Sequence, residues 1–428
     1  MDQEARVSKL KKLLDEEKWT EALPLAEALA EEGEEHGELS LGCMYLEGFG
    51  VKEDGEKALD YLKKAWAHGN AEACYVLGTI YEDGRYVPKD FAKAVELYEK
   101  AASLGNDSAL NLLGSMYFLG SGVDKDQVKA FHYFLCAAEK GNPDAQFSLA
   151  ACYDQGIGTK SDDEKAKKWY RKAAEHGNVD AMARLGIMYD EGKGLGGEAH
   201  RDIENAREWL EKAATLGEPS AMERLGLMYI LGELQDKEGN KGLFYLQKAA
   251  EAGDSDALWE TGLCYECGRG TEEDYRKALA WYQKAADEGN ESGMKSMGDL
   301  YYFGKGVEVD FFKAREWYEK AAERGDTQAQ WILGIIFEEG LCGEPDIPRA
   351  LALYHQSAEA GNSEAALILG DTYAEGKIVE KDENLAGEWY QLAAANGNRK
   401  AELSLIYLRM KGNETRNDYM DFFRHKVQ

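Results

Sequence analysis

The stretch ALWETGLCYECGRGTEEDYRKALAWYQKAADEG, residues 257–289, decides the fold, because its marks recur along the whole chain. Counterparts of Tyr265 stand at Tyr45, Tyr81, Tyr117, Tyr153, Tyr189, Tyr229, Tyr301, Phe337 and Tyr373, 36 residues apart except for one interval of 40. The closing Gly289 keeps the same step through Gly69, Gly105, Gly141, Gly177, Gly217, Gly253, Gly325, Gly361 and Gly397. Two independent series that stay in register over ten units mark a repeat architecture. A chain of 428 residues would also outgrow one compact core, which stops enlarging near ~250–300 residues.

Each unit reads as two helices. In VDAMARLGIMY, residues 179–189, Ala181, Leu185, Met188 and Tyr189 fall on one helical face. Gly186 stands where a Cβ would obstruct a neighbouring helix. A Gly-x-Gly turn follows, as in Gly156 and Gly158 or Gly304 and Gly306. The second helix, DDEKAKKWYRKAAEHG from Asp162, carries Ala166, Trp169, Tyr170 and Ala173 at helical spacing. The Trp series (Trp169, Trp209, Trp281, Trp317, Trp389) reads as core.

An acidic residue stands four before the first Ala of every second helix: Asp at 54, 90, 126, 162, 202, 274, 310, 346 and 382, and Glu238 in the sixth unit. Asp accepts from the free N–H groups of a first turn, so these read as N-caps. The closing glycines suit the left-handed position that ends a helix, and Pro143 and Pro219 open first helices, where a missing N–H costs nothing. Punctuation thus accounts for most of the 46 Gly. One helix pair cannot bury its stripe alone, whereas stacked pairs can, with caps at both ends. The expected fold is an all-α solenoid of helix-turn-helix repeats. Residues 1–36 form a degenerate capping pair, 37–398 hold ten repeats, and 399–428 hold a partial repeat and a C-terminal capping helix with Tyr419, Phe422 and Phe423.

The pattern A-x3-LG-x2-Y-x2-G-x-G…D-x3-A-x2-WY-x-KAA-x2-G strongly resembles the Sel-one-like repeat, a relative of the tetratricopeptide repeat. The seventh unit carries it in Ala257, Gly262, Tyr265, Gly268, Gly270, Asp274, Ala278, Trp281, Tyr282, Lys284, Ala285, Ala286 and Gly289. The resemblance covers residues 37 to about 410 and implies a right-handed α/α superhelix. It also implies a role as adaptor or scaffold, since members serve in signalling, endoplasmic-reticulum quality control, bacterial host interaction and activation of bound enzymes. Two units depart from the pattern. The fifth carries four extra residues around Gly192 to Arg201; the sixth has Leu234 for the second turn glycine and Gly242 for the Ala. This join is expected to loosen the stack, with proteolysis first between about residues 193 and 203. No unit has the cysteine pairing of the family's disulfide-stapled branch.

Composition narrows the function. With 80 acidic and 51 basic residues the net charge is −29, a field that repels phosphate backbones and anionic membranes. No run of about 18 apolar residues exists to span a bilayer, and the N-terminus, MDQEARVSKLKKLLDEEKW, lacks an apolar signal core. Seven irregularly placed Cys suit a reducing compartment; a cytoplasmic monomer is the expectation. Gly192-Lys-Gly-Leu-Gly-Gly197 spells G-x-G-x-x-G, but a helix precedes it where a dinucleotide loop needs a strand. Cys264 and Cys267 form a lone C-x-x-C, and Cys264 sits on the buried stripe. No catalytic, metal or cofactor constellation is expected, so a hydrolase is a remote reading.

The expected site is the face of the first helices, which line the concave side in the tetratricopeptide fold. With the recurring aromatic as position zero, positions −8, −4, −1 and 0 are core. Positions −6, +1 and +2 lie off the stripe and vary. Position −6 holds Tyr75, Phe147, Trp259 and Trp331; positions +1 and +2 hold Glu82 and Asp83, Asp154, Asp190 and Glu191, Glu266, Glu338 and Glu339, or the apolar pairs Phe118 with Leu119 and Tyr302 with Phe303. Aromatics followed by carboxylates suit a partner segment with basic and apolar residues, and repeats seven to nine concentrate them. The expected function is a protein- or peptide-binding scaffold, the alternative a regulatory subunit that activates an enzyme in trans.

Overall fold

The computed structural model describes residues 2–194, 201–236 and 239–412, with side chains to residue 408. Among them are 23 helices and no strand. A leading pair, α1 (Gln3–Asp15) and α2 (Trp19–Glu31), precedes the repeats. The first helices of the ten repeats are α3 (Glu35–Glu47), α5 (Ala71–Asp83), α7 (Asp107–Leu119), α9 (Pro143–Gln155), α11 (Val179–Glu191), α13 (Pro219–Ile230), α15 (Ser255–Cys267), α17 (Glu291–Phe303), α19 (Thr327–Glu338) and α21 (Ser363–Glu375). The second helices are α4 (Gly55–Ala67), α6 (Phe91–Ser103), α8 (Gln127–Glu139), α10 (Asp163–Glu175), α12 (Ile203–Thr215), α14 (Lys241–Glu251), α16 (Tyr275–Asp287), α18 (Phe311–Glu323), α20 (Ile347–Glu359) and α22 (Glu383–Ala395). A last helix, α23 (Arg399–Gly412), follows.

The chain divides into two compact bodies, Met1–Ala221 and Met222–Gln428, with the boundary inside α13. In each body the helices whose contacts are described pack mainly on their neighbours in sequence, the condition for an all-α repeat solenoid. The core is a ladder of small residues and rings. In the second body Ala278, Tyr282, Ala314, Tyr318, Ala350 and Tyr354 are all 1 % exposed or less. Close approach needs glycine at one point of the first helix: a Cβ on Gly262 would lie 2.5 Å from the Tyr282 ring, and one on Gly186 2.7 Å from Leu210.

The Asp series does cap. All nine aspartates accept a backbone N–H of the first turn, as Asp162 does from Lys165. The sixth repeat differs. Glu238 lies outside the described residues, yet the residue before α14 is Asn240, which makes no side-chain cap. Asp236 accepts from the Lys241 amide instead, at 2.7 Å. First helices have caps of their own that also tie repeats together: Asn290 accepts from the Gly293 amide and donates from its Nδ2 to Asp256 in the preceding repeat, at 2.7 Å. The Trp series is half-buried rather than core: in four of the five the lysine three residues on lies over the ring, as Lys172 over Trp169 at 4.0 Å from the ring centroid, while Trp389 has Leu392 at that position. The middle of the fifth-repeat insertion, with Gly196 and Gly197, and the segment with Tyr419, Phe422 and Phe423 lie outside the described residues.

Candidate partner-binding site

The first helices form the inner layer of each body. Where a helix comes close to its counterpart in the next repeat, the pair consists of first helices: α1 with α3 in the first body, α15 with α17 and α21 with α23 in the second. Positions −6, +1 and +2 face this side, and the structure gives them duties the sequence reading did not.

The +1 carboxylates serve buried tyrosines. Tyr98, Tyr170, Tyr282 and Tyr354 of the second helices are at most 1 % exposed. Their hydroxyls donate to Glu82 at 2.6 Å, Asp154 at 3.5 Å, Glu266 at 2.7 Å and Glu338 at 2.6 Å. Repeats eight and ten lack an acid at +1 and use position −2: Tyr318 donates to Asp299 and Tyr390 to Asp371, both at 2.7 Å. The remaining second helices carry Leu62, Phe134, Leu210 and Leu246, with no hydroxyl. Three of those repeats have Leu46, Phe118 and Ile230 at +1. The fourth has Asp190, which is fully buried and pairs with Arg201. Burial, and then the neighbouring carboxylate, pushes each of these phenols well above its ordinary range. The signal was in the sequence: an acid 16 or 19 residues before the second-helix Tyr, and none where that residue is Leu62, Phe134 or Leu246.

The −6 aromatics are half-buried. Tyr75 leans on Tyr98 with ring centroids 5.9 Å apart, and Phe147 on Tyr170 at 5.6 Å. Trp259 reaches the next repeat, donating from Nε1 to Ser296 Oγ at 3.0 Å. The residue equivalent to Ser296 for Trp331 is Ile368, which has no side-chain acceptor, and the buried Nε1 of Trp331 has no hydrogen-bond partner. Tyr75 and Phe147 thus pack on the second helix of their own repeat and Trp259 on the next repeat, so these half-buried rings offer only part of their surface to a ligand.

Positions +1 and +2 of repeat eight behave differently. Phe303 is 59 % exposed. Tyr302 stacks edge-on against Phe303 at 4.9 Å and against Phe311 at 5.4 Å. Burial, with the charge of Glu339 behind it, raises the Tyr302 phenol, and Glu339 itself is exposed. In repeat three, Phe118 is half-buried with Lys125 over its ring at 5.5 Å, and Leu119 is exposed. Asp83 is exposed. The Glu266 carboxylate also receives Lys305 at 2.9 Å, and Asp154 receives Arg184 at 2.6 Å. A notch of about 220 Å³ between α19 and α21 brings Glu338 beside Ile368, Asp371, Thr372, Glu375 and Ile378.

The other singled-out groups are structural. Cys264 is buried, which pushes its thiol up to about 12, and all seven cysteines are free. His68 Nδ1 lies 2.7 Å from the buried Glu38 carboxylate. Among the described residues no group of His, Cys, Asp or Glu could hold a metal ion, and no helix is long and apolar enough to cross a membrane.

Comparison with known proteins agrees with this architecture. The family model described as "Sel1 repeat" matches ten times, at residues 36–70, 71–106, 107–142, 143–178, 179–218, 219–254, 255–290, 292–326, 327–362 and 363–398. A solved Sel1 repeat protein from Oxalobacter formigenes is 31% identical, over 73% of this chain and 89% of that one, with a TM-score of 0.55. A protective antigen of uropathogenic Escherichia coli strains, described as displaying an SLR fold, is 32% identical over 91% of this chain and 90% of that one, with a TM-score of 0.46. No curated protein gives a significant match. Sel1 repeat proteins generally mediate protein–protein interactions and are typically non-enzymatic scaffolds. With ten matched repeats spanning residues 36–398, the chain belongs to the Sel1 repeat family.

Proposed function

We propose that this chain is an adaptor that holds a partner protein through a segment with apolar and basic residues, laid along the first helices of repeats seven to nine. The observation that carries this reading is the exposed Phe303 ring, set on the half-buried Tyr302 and Phe311, with the exposed Glu339 carboxylate near Tyr302. A large aromatic left in water without a packing duty is the residue type that anchors interfaces. A carboxylate next to it selects a Lys or Arg from the partner. Glu266 and Glu338 contribute less than their charge suggests, because each already accepts from a tyrosine; each keeps lone pairs for one further donor.

The test is capture of partners by the full chain and by a Phe303→Ser, Glu339→Lys variant. Both positions are exposed, so the fold should survive. Recovery should fall at least about tenfold, the loss of one anchor and one charge contact. Equal recovery by wild type and variant rejects the site. If the captured partner is an enzyme whose rate changes on binding, the adaptor is a regulatory subunit.

A further inference from the structure

The fourth repeat carries a feature of opposite sign. Lys167, on α10, occupies a position that is apolar in most repeats, with Leu59, Val95, Phe131, Leu243, Leu279 and Leu351 as counterparts. Its side chain is only 5 % exposed. The ammonium lies 3.6 Å from the Tyr189 ring centroid and donates to the Lys193 carbonyl at 3.2 Å. It lines a notch of about 270 Å³ with Lys168, Arg171, Lys172 and Gly194, and two carboxylates, Glu164 and Glu175, line it as well, towards the two ends of α10. Arg171 donates to the Tyr189 hydroxyl and Lys172 covers Trp169. Among the described residues the only ion pair made by α10 side chains is Lys165 with Asp162. None of the four neighbouring cations makes an ion pair with a described carboxylate, although Glu164 and Glu175 line the same notch and the Asp202 charge acts on Lys167, in a chain with 80 acidic residues.

Two other repeats have a cation at the Lys167 position and resolve it differently. Arg315 pairs with Glu319 at 3.1 Å, and Arg207 with Glu211 at 3.7 Å, each one helical turn on. In repeat four that neighbour is Arg171. The built-in countercharge has been replaced by a second cation. A buried charge without its counterion is costly, and burial first, then Arg171, holds the Lys167 ammonium below its ordinary range. The Gly-rich turn is not the receptor here: Gly192 and Gly194 take the left-handed conformation of the other repeat turns, and the donors are side chains of α10.

We propose that this notch is an oxyanion site that takes a carboxylate or phosphoryl group of a partner peptide, with Lys167 and Arg171 as its main donors. An oxyanion there supplies the counterion that Glu211 and Glu319 supply in repeats five and eight, through charge-assisted hydrogen bonds. The site is independent of the aromatic cluster of repeat eight.

The experiment uses the full chain with two variants that copy natural repeats: Lys167→Met, apolar as in most repeats, and Arg171→Glu, which restores the internal pair. Inorganic phosphate, compared with chloride at equal ionic strength, should raise the thermal midpoint of the wild type, because a ligand of the native state stabilises it. It should raise neither variant. Three labelled peptides that differ only at a central Glu, phosphoserine or Ser then identify the source. The wild type should bind the Glu or the phosphoserine peptide at least about tenfold more tightly than the Ser peptide, and both variants should lose that preference. Preference for Glu assigns a carboxylate, and preference for phosphoserine a phosphoryl group. No phosphate effect beyond chloride together with no peptide preference, or a preference that survives in both variants, overturns the proposal.

Discussion

The third and seventh repeats both pair a first and a second helix and differ at one buried hydroxyl of the second. In the seventh, the Tyr282 hydroxyl enters the core and Glu266 at +1 accepts from it. In the third, Phe134 fills the same place and +1 is Phe118. The difference teaches that an inner-face carboxylate is bound first to its own repeat. A phenol sealed from water must find an acceptor, so the Tyr brings the acid with it. In three of the five repeats without an acid at +1 the next position is apolar and exposed: Leu119, Leu231 and Phe303, in repeats three, six and eight, whereas repeats one and ten keep Glu47 and Glu375 there. Surface chemistry offered to a partner is thus linked to a choice made in the core without being fixed by it.

The largest expected effect comes from breaking the pair in repeat seven. Glu266→Ala leaves the Tyr282 hydroxyl without its acceptor and Lys305 without its ion pair. The expected cost is about 2–3 kcal/mol, the range for a buried polar group that loses a charged partner. Tyr282→Phe combined with Glu266→Ala should cost clearly less than the two single changes summed, because the double variant rebuilds the third repeat's arrangement. Since the chain has two bodies, amide exchange in α16 is a better readout than a single global melt. Additive costs would mean that the hydrogen bond is incidental.

The converse should be milder. Phe134→Tyr adds a hydroxyl facing Phe118, with no acid at +1 or at Ser115 in the −2 place. A loss of about 1–2 kcal/mol is expected, with recovery when Phe118→Glu is added. Exchange in α8 would register both steps. Failure of Phe118→Glu to rescue would show that the two repeats differ in more than this pair.

A smaller gain is available beside the seventh-repeat pair. Thr261 is fully buried, and its Oγ1 has no hydrogen-bond partner. The other repeats place Leu or Met there, as at Leu225 and Met297. Thr261→Val keeps the shape and removes the stranded hydroxyl, so exchange in α15 should slow by the equivalent of about 1 kcal/mol. No change, or a loss, would indicate that the hydroxyl is satisfied in solution.

Periodicity made the fold legible because the same steric demands recur at each step. Glycine at the helix crossing, aspartate before a helix and alanine at its first turn recur in nearly every repeat, with Ala150 in the fourth and Glu238 and Gly242 in the sixth as exceptions. The candidate site was less legible. Glu82, Glu266 and Glu338 look like free ligands on a helical wheel, since a wheel shows one helix and their partners sit on the next. Trp259 and Trp331 lie off the stripe of their own helix, yet Trp259 hydrogen-bonds Ser296 of the following repeat. Contacts between helices are invisible to a single-helix pattern. They show only as offsets, such as the 16 residues from Glu to Tyr within one repeat, that cross a turn.

Position −6 provides the mildest contrast between neighbouring repeats. Repeat seven has Trp259 there and repeat six has Glu223. Burial, followed by the charges of Asp254, Asp256 and Glu260, pushes the Glu223 carboxyl up to about 7. Its folded value thus lies above the 4.5 of the free side chain, so between those values the folded chain keeps a proton that the unfolded chain has released. Stability from this group is complete below the lower value and is lost as pH rises through the upper one. Partial exposure limits the loss to about 1 kcal/mol. Glu223→Gln cannot lose a proton, so its stability should fall less than that of the wild type between about pH 5 and about pH 8. Parallel curves for the two chains would mean that Glu223 ionises at its ordinary pH and that the charge of repeat six is well solvated.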